Sequence, residues 1–296
     1  LINILSAEIA NYENNSTNEK NNYLTAINNT TNINQKIYLY KKLLVISEKE
    51  KDFNSAVIYI DNIEKNIVSP LNQEYQVKWF DYNRLLERFQ VVIKKIDSNL
   101  ETTIRNDEII FLNIQKAKTF LFDEDISSSV DILYDIIEKY SEDKLHKNKL
   151  NEAYLMLGEI YLLKEIDFDK AEEQFQQSVN LSSTTQYGKK SKKYIESINQ
   201  FKDITYEIDY LNTNEQNDEG QENDFMLPVP DVSNNNIKFD SLHFNAAQIL
   251  YFDLGTKDSA ITRFKEIVEL FPNTYYSYKS LLVLDIADST NDKWNE

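Results

Sequence analysis

One hairpin-sized stretch recurs along this chain with its residues changed and its pattern kept. AKTFLFD from Ala117 corresponds to AQILYFD from Ala247, and ILYDIIEKYS from Ile132 to RFKEIVELFP from Arg263. The clearest copy is Asn151–Ser183, where Ala153, Leu157, Ile160 and Tyr161 share one face of a helix. Ala171, Phe175 and Val179 share one face of a second helix, and Asp167 and Asp169 are placed to cap it. Gly158, Ala171 and Ser178 are small enough to let the two helices approach closely. In the copy Ser241–Pro272, Gly255 ends the first helix, Asp258 is placed to cap the next, and Pro272 marks the stop. A third copy runs Asp107–Ser141, and fainter ones occupy Ile37–Lys65 and Leu1–Asn29. A unit of roughly 30 to 40 residues followed by others like it dictates a stack of helical hairpins.

Composition agrees. Only 4 Gly and 4 Pro occur in 296 residues, too few for the turns of a sheet protein, and the 41% hydrophobic content is enough for a core. Two segments break the pattern. Tyr75, Trp79, Tyr82, Leu86, Phe89, Ile93, Ile96 and Leu100 alternate spacings of four and three, which predicts one long helix over about 72–100 with a heptad seam. The seam reads as a coiled-coil contact with a second copy or as a helix packed inside the stack, and its large aromatics favour the second. Asn212–Asn236 is Asn-rich and acidic and carries Pro228 and Pro230, so an acidic flexible loop is expected over 205–240. Phe225-Met226-Leu227-Pro228 within it reads as a short binding motif, a strap, or part of a tolerated insertion. The expected order is therefore degenerate repeats over 1–100, clearer repeats over 101–204, the loop, and a last repeat with a capping helix over 241–296.

Charge and residue inventory exclude several functions. The net charge of -17, from 49 acidic against 32 basic residues, repels phosphate backbones, so nucleic acid is not an expected partner. With no cysteine, no thiolate site exists, and His146 and His243 cannot build a usual zinc site alone. No run of about 20 apolar residues occurs. Leu1 in place of Met reads as a processed or trimmed start, with which a removed leader is compatible. Gly158, Gly188, Gly220 and Gly255 lie too far apart for a phosphate loop, and no Gly-x-Ser-x-Gly elbow occurs. Glu172-Glu173 and Asp123-Glu124-Asp125 read as solvated faces, and Asp123-x-Asp125 lacks the Gly and final Glu of a calcium loop. His146 reads as an exposed residue of a connection, and His243 as a packing or capping residue at a helix start. No catalytic residue, metal or cofactor is expected.

Tyr154, Leu157-Gly158, Tyr161, Ala171, Phe175 and Ser178 resemble the pattern of the tetratricopeptide repeat family, with one extra residue in the turn and Ser183 where Pro is usual. Tyr251, Ala260, Phe264, Ile267 and Pro272 match in the last repeat, with Gln248 in place of a small residue. Ala117, Ser129, Leu133 and Ile136 match in the Asp107 unit, with Ser141 in place of Pro. The resemblance implies an all-α, right-handed α–α superhelix of antiparallel hairpins whose first helices line a concave face that binds protein or peptide. Carried over, the groove-facing slots are Glu152, Leu155, Glu159 and Leu162, then Leu242, Asn245, Ile249 and Phe252. These slots either meet a partner or pack against the neighbouring repeat. The family's carboxylate clamp needs Lys and Asn where Glu159 and Leu155 stand, so that activity is not expected. An acidic and apolar groove suits a basic and hydrophobic partner.

DSAITRFKEIVELFPNTYYSYKSLLVLDIAD is also similar to repeats of bacterial outer-membrane assembly lipoproteins. That similarity implies a scaffold at the periplasmic side of the envelope, a cytoplasmic one being the alternative. A carbohydrate-binding helical receptor would need exposed Trp platforms. Only Trp79, on the seam, and Trp294, in the tail, exist. A structural spacer that oligomerises through the 75–100 helix is the other alternative.

Overall fold

The computed structural model describes residues 2–67, 72–142, 144–218 and 232–289. It is all-α, with no strand among the described residues. Helices follow one another in pairs: α1 (Ile2–Tyr12) with α2 (Ser16–Asn28), α3 (Ile33–Glu50) with α4 (Phe53–Asn66), and α5 (Gln73–Leu85) with α6 (Phe89–Thr102). Next come α7 (Asn106–Phe122), α8 (Ile126–Tyr140), and the pair α9 (Lys147–Ile160) and α10 (Phe168–Leu181). A long α11 (Gln186–Asp218) precedes the pair α12 (Val232–Gln248) and α13 (Lys257–Leu270), and α14 (Tyr275–Ser289) closes the set. The chain divides into two compact units, residues 1–136 and 137–296.

The turns inside the pairs share one construction. A single residue takes a left-handed conformation and the next opens the following helix: Lys51 (φ 57°) before Asp52, Glu124 (φ 61°) before Asp125, Ile166 (φ 55°) before Asp167. Each aspartate then accepts a hydrogen bond from the backbone N–H three residues on, Ser55 at 3.1 Å, Ser128 at 3.0 Å and Lys170 at 2.9 Å. Asn14 and Glu87 (both φ 56°) and Gly255 (φ 74°) occupy the same place. Most of these left-handed positions are filled by residues other than Gly, so a low glycine count conceals a regular set of turns. The α13 helix opens at Thr256 instead of the expected Asp258, which lies in its first turn.

In the first unit, Tyr23, Leu39, Leu43, Ile60, Phe80, Val92 and Ile96 form one core. The expected continuous helix over 72–100 is not present. The chain turns at Leu86–Arg88, where Glu87 is left-handed and the Arg88 N–H reaches back to the Asn83 carbonyl at 2.8 Å. The break allows Trp79 and Phe80 on α5 and Val92 and Ile96 on α6 to enter the same core. A straight helix of that span, about 40 Å long, would carry them apart. The seam is therefore interior surface folded back on itself, and an oligomer built on a 75–100 helix has no such helix to use. Arg84, buried on α5, ties this fold to α7. It donates to the Thr119 hydroxyl at 3.1 Å, to the Gln115 carbonyl at 2.8 Å and side-chain oxygen at 2.9 Å, and to Asp81 at 2.6 Å.

In the second unit, α9 and α10 touch where Gly158 faces Phe175; a methyl group on Gly158 would sit 2.4 Å from the ring. Ser178 donates to Asn151 at 2.5 Å, Ser191 donates to Ser178 at 2.8 Å, and Asn151 donates to the Ser182 carbonyl at 2.8 Å. This buried relay joins α9, α10 and α11 with each hydroxyl satisfied by the next. The extra residue of the central repeat is absorbed as a π-helical turn, Tyr161–Glu165, at the end of α9, and a π-helical turn, Ile249–Asp253, also follows α12. The expected loop over 205–240 is corrected at its two ends, and residues 219–231 lie outside the described residues. Residues through Asp218 continue α11 and those from Val232 belong to α12, because Ile204, Ile208 and Leu211 seat on Phe239, Leu242 and Phe271. The Phe225–Pro228 motif lies outside the described residues.

Candidate protein-binding surface

The eight slots assigned to a groove separate into two groups. Leu155, Leu162, Leu242 and Ile249 are buried and belong to the interior of the second unit. Asn245 is exposed, Glu152 and Glu159 are half-exposed, and Phe252 stands 65% exposed on the π-helical turn after α12. The acidic pair faces α11. Tyr187 donates to Glu152 at 2.9 Å, Tyr194 donates to Glu159 at 3.2 Å, and Lys190 pairs with Glu159 at 2.5 Å. Burial beside Glu152 pushes the Tyr187 hydroxyl up to about 12, and burial beside Glu159 pushes Tyr194 up strongly.

Both tyrosine–glutamate bonds join residues 35 apart, and in the first unit Tyr82 donates to Glu48, 34 apart, at 2.6 Å. The same bond thus links successive first helices at the repeat length. Glu152 and Glu159 thus take part in stacking between repeats while remaining half-exposed. The signal was present in the sequence as Glu and Tyr recurring at one repeat's separation.

Other candidates resolve more simply. Trp79 is buried, donates to Asp61 at 2.8 Å, and carries Lys95 over its ring at 4.4 Å, so it offers no platform for a sugar. His146 is half-buried against Tyr140, ring to ring at 6.4 Å, and is not the exposed connector expected. His243 lies well inside α12 instead of opening a helix. It packs on Phe271 at 5.6 Å, and burial together with nearby Arg263 holds its imidazole below the ordinary histidine range. Among the described residues, no three His, Asp or Glu gather as a metal site, and no helix is long and apolar enough to cross a membrane.

The second unit also presents large aromatic side chains to solvent. Tyr206 and Tyr210 on α11, one helical turn apart, are exposed, as is Phe252 on the turn that α11 packs against. Paired helices with close-packed small residues are the construction of a helical-repeat protein. Residues 240–274, covering α12, its π-helical turn, α13 and the following turn, match the family model of the tetratricopeptide repeat. The paired-helix fold and this match, which covers a small part of the chain, liken it to tetratricopeptide-repeat proteins, a likeness that suggests protein–protein interaction. No curated protein matches the chain.

Proposed function

We propose that the chain is a non-enzymatic scaffold that binds a partner protein through the second unit, on the surface carrying Asn245, Phe252 and the exposed rim of Glu152 and Glu159. The observation that supports this most is Phe252. A large aromatic, 65% exposed and fixed by a π-helical turn between buried Leu250 and Leu254, is the residue type that dominates binding at protein interfaces. The net charge of -17 favours a basic partner.

The test is a capture with the whole chain against Asn245→Arg, Phe252→Asp, read by mass spectrometry and by circular dichroism to verify folding. A protein retained by the parent and lost by the folded variant supports the reading; an unchanged set of captured proteins refutes it. We also infer a place in bacterial envelope assembly, supported by the similarity of DSAITRFKEIVELFPNTYYSYKSLLVLDIAD to outer-membrane assembly lipoproteins. Fractionation of the native protein decides this, and a wholly cytosolic pool would end it.

A further inference from the structure

One of the chain's two histidines sits where α11, α12 and the end of α13 come together. Ile204, Ile208 and Leu211 of α11 meet Phe239 and Leu242 of α12, and Phe271 closes the cluster after α13. His243 follows Leu242 directly and lies against the Phe271 ring at 5.6 Å. Its Nδ1 is buried and meets no hydrogen-bond partner among the described residues. A neutral imidazole can leave that nitrogen bare by carrying its proton on Nε2. An imidazolium cannot, because both nitrogens are then donors and one of them would be buried with no acceptor.

Each helix packed on this junction carries charge. On α13, Arg263 opposes a proton on the imidazole and Glu266 favours one. Arg263 is half-buried over the Phe201 ring of α11 at 5.4 Å, which keeps its charge at the junction, and Asp209 of α11 acts on it in turn. Asp240, one turn before His243 on α12, is buried with its Oδ1 also lacking a partner among the described residues, so the two orphaned atoms do not serve each other. On α14, Lys279 lies 5.7 Å from the ring of Phe244, the residue after His243. Lys265 and Glu269 of α13 and Asp285 of α14 are exposed, and Glu207 of α11 is half-buried.

The balance of these groups sets the direction of the response. Burial first, and Arg263 second, hold the proton affinity of His243 below the ordinary histidine range. An unfolded histidine takes up its proton near pH 6.5, whereas the folded junction takes it up only at lower pH. Below about pH 6.5 the open form therefore binds more protons than the closed one, so the junction is fully stable above that pH and weakens as pH falls through it.

We propose that the junction of α11, α12 and α13 is an acid-operated joint, closed while His243 is neutral and opened when His243 takes up a proton from solvent. Opening frees α12 from α11 and uncovers Phe239 and Leu242, whatever binds at Phe252. The whole chain tests it, by NMR titration of the two imidazoles, with His243→Leu identifying the signal from the junction. Amide hydrogen exchange at about pH 7.5 and about pH 5, corrected for intrinsic rates, gives the second readout. His243 is expected to titrate below about pH 6.5, and protection of residues 239–250 to fall on the order of tenfold at the lower pH. Residues 1–136, which hold no histidine, are expected to keep theirs. His243→Leu and the polar replacement His243→Gln are expected to protect residues 239–250 equally at both pH values. Arg263→Met is expected to move the His243 midpoint up and to shrink the fall. A His243 midpoint at or above about pH 6.5, undiminished protection in the parent at about pH 5, or a fall shared by residues 1–136 overturns the proposal. So does an equal acid loss in either folded His243 variant, which would assign the response to Asp209, Asp240 or Glu266.

Discussion

In the pair α9–α10 the helices meet at a glycine: Gly158 lies against Phe175, whose ring stacks on Tyr194 of α11 at 4.7 Å, and Gly188 lets the start of α11 cross the Ser182 carbonyl at the end of α10. In the pair α5–α6 the two helices touch each other much less; α5 leans mainly on α4 and α6 on α7. There the lock is a long cation, Arg84, reaching the Gln115 carbonyl and side chain and the Thr119 hydroxyl. Close approach of backbones is specified by the absence of atoms and tolerates no addition. A buried guanidinium is specified by its partners and tolerates replacement by something apolar of similar volume. The two regions should therefore answer mutation in opposite ways.

The largest effect is expected at Gly188. A methyl group there would lie 1.9 Å from the Ser182 carbonyl oxygen, so backbone must move, and Gly188→Ala should cost about 3 kcal/mol or more. Gly158→Ala meets the buried Phe175 ring and should cost about 2–3 kcal/mol. Hydrogen exchange should localise both losses to residues 137–296. Protection unchanged in α9, α10 and α11 would mean that close approach is not what holds them.

Arg84 comes next. Arg84→Ala removes a buried side chain and strands polar groups of α7, and is expected to cost about 2–3 kcal/mol. Arg84→Met fills the volume without burying a charge and should stay within about 1 kcal/mol of the parent. Equal losses for the two would show that the hydrogen bonds, and not the filling of space, hold α5 to α7. Chemical denaturation measures both.

The same contrast explains what could be read from the sequence. Gly158, Ala171, Phe175 and Ser178 advertise a close-packed hairpin because small residues at helical spacing have few other uses, and the last repeat announces its turn with Gly255. The α5–α6 turn carries no such mark. Leu86-Glu87-Arg88 are good helix formers, and their spacing continues the apolar period, so local preference argued for one helix and tertiary burial of Trp79, Phe80, Val92 and Ile96 overrode it. The candidate slots were legible as helix positions but not as surfaces. Whether Leu155 or Phe252 faces water depends on where α11 lies, and the single-repeat pattern holds no information about a 33-residue helix shared between two repeats.

A smaller effect distinguishes the tyrosine–glutamate bonds from the packing around them. Tyr187 keeps its proton to about pH 12 in the folded chain, whereas an unfolded tyrosine releases it near pH 10. Between those values the unfolded chain binds fewer protons than the folded one, so stability falls as pH rises. Tyr187→Phe should cost less than about 1 kcal/mol at neutral pH and flatten that alkaline decline. An unaltered slope would mean that Tyr187 is not the group that titrates.

The smallest expected change is Glu87→Gly. Glu87 holds the left-handed position of the α5–α6 turn at φ 56°, the position Gly255 holds at φ 74° in the α12–α13 turn. A side chain there costs about 1 kcal/mol in the folded chain, and glycine costs a comparable amount through the freedom it adds to the unfolded one. The two terms nearly cancel, so Glu87→Gly should lie within about 0.5 kcal/mol of the parent. Gly255→Ala meets only ordinary contact, Leu163 at 3.6 Å, so its cost should be limited to backbone strain of about 1 kcal/mol. Thermal melts of the pair compare one turn geometry written in two residue types. A loss well beyond 1 kcal/mol for Glu87→Gly would mean that the Glu87 side chain itself helps to hold the turn, and that the break in the seam is encoded locally after all.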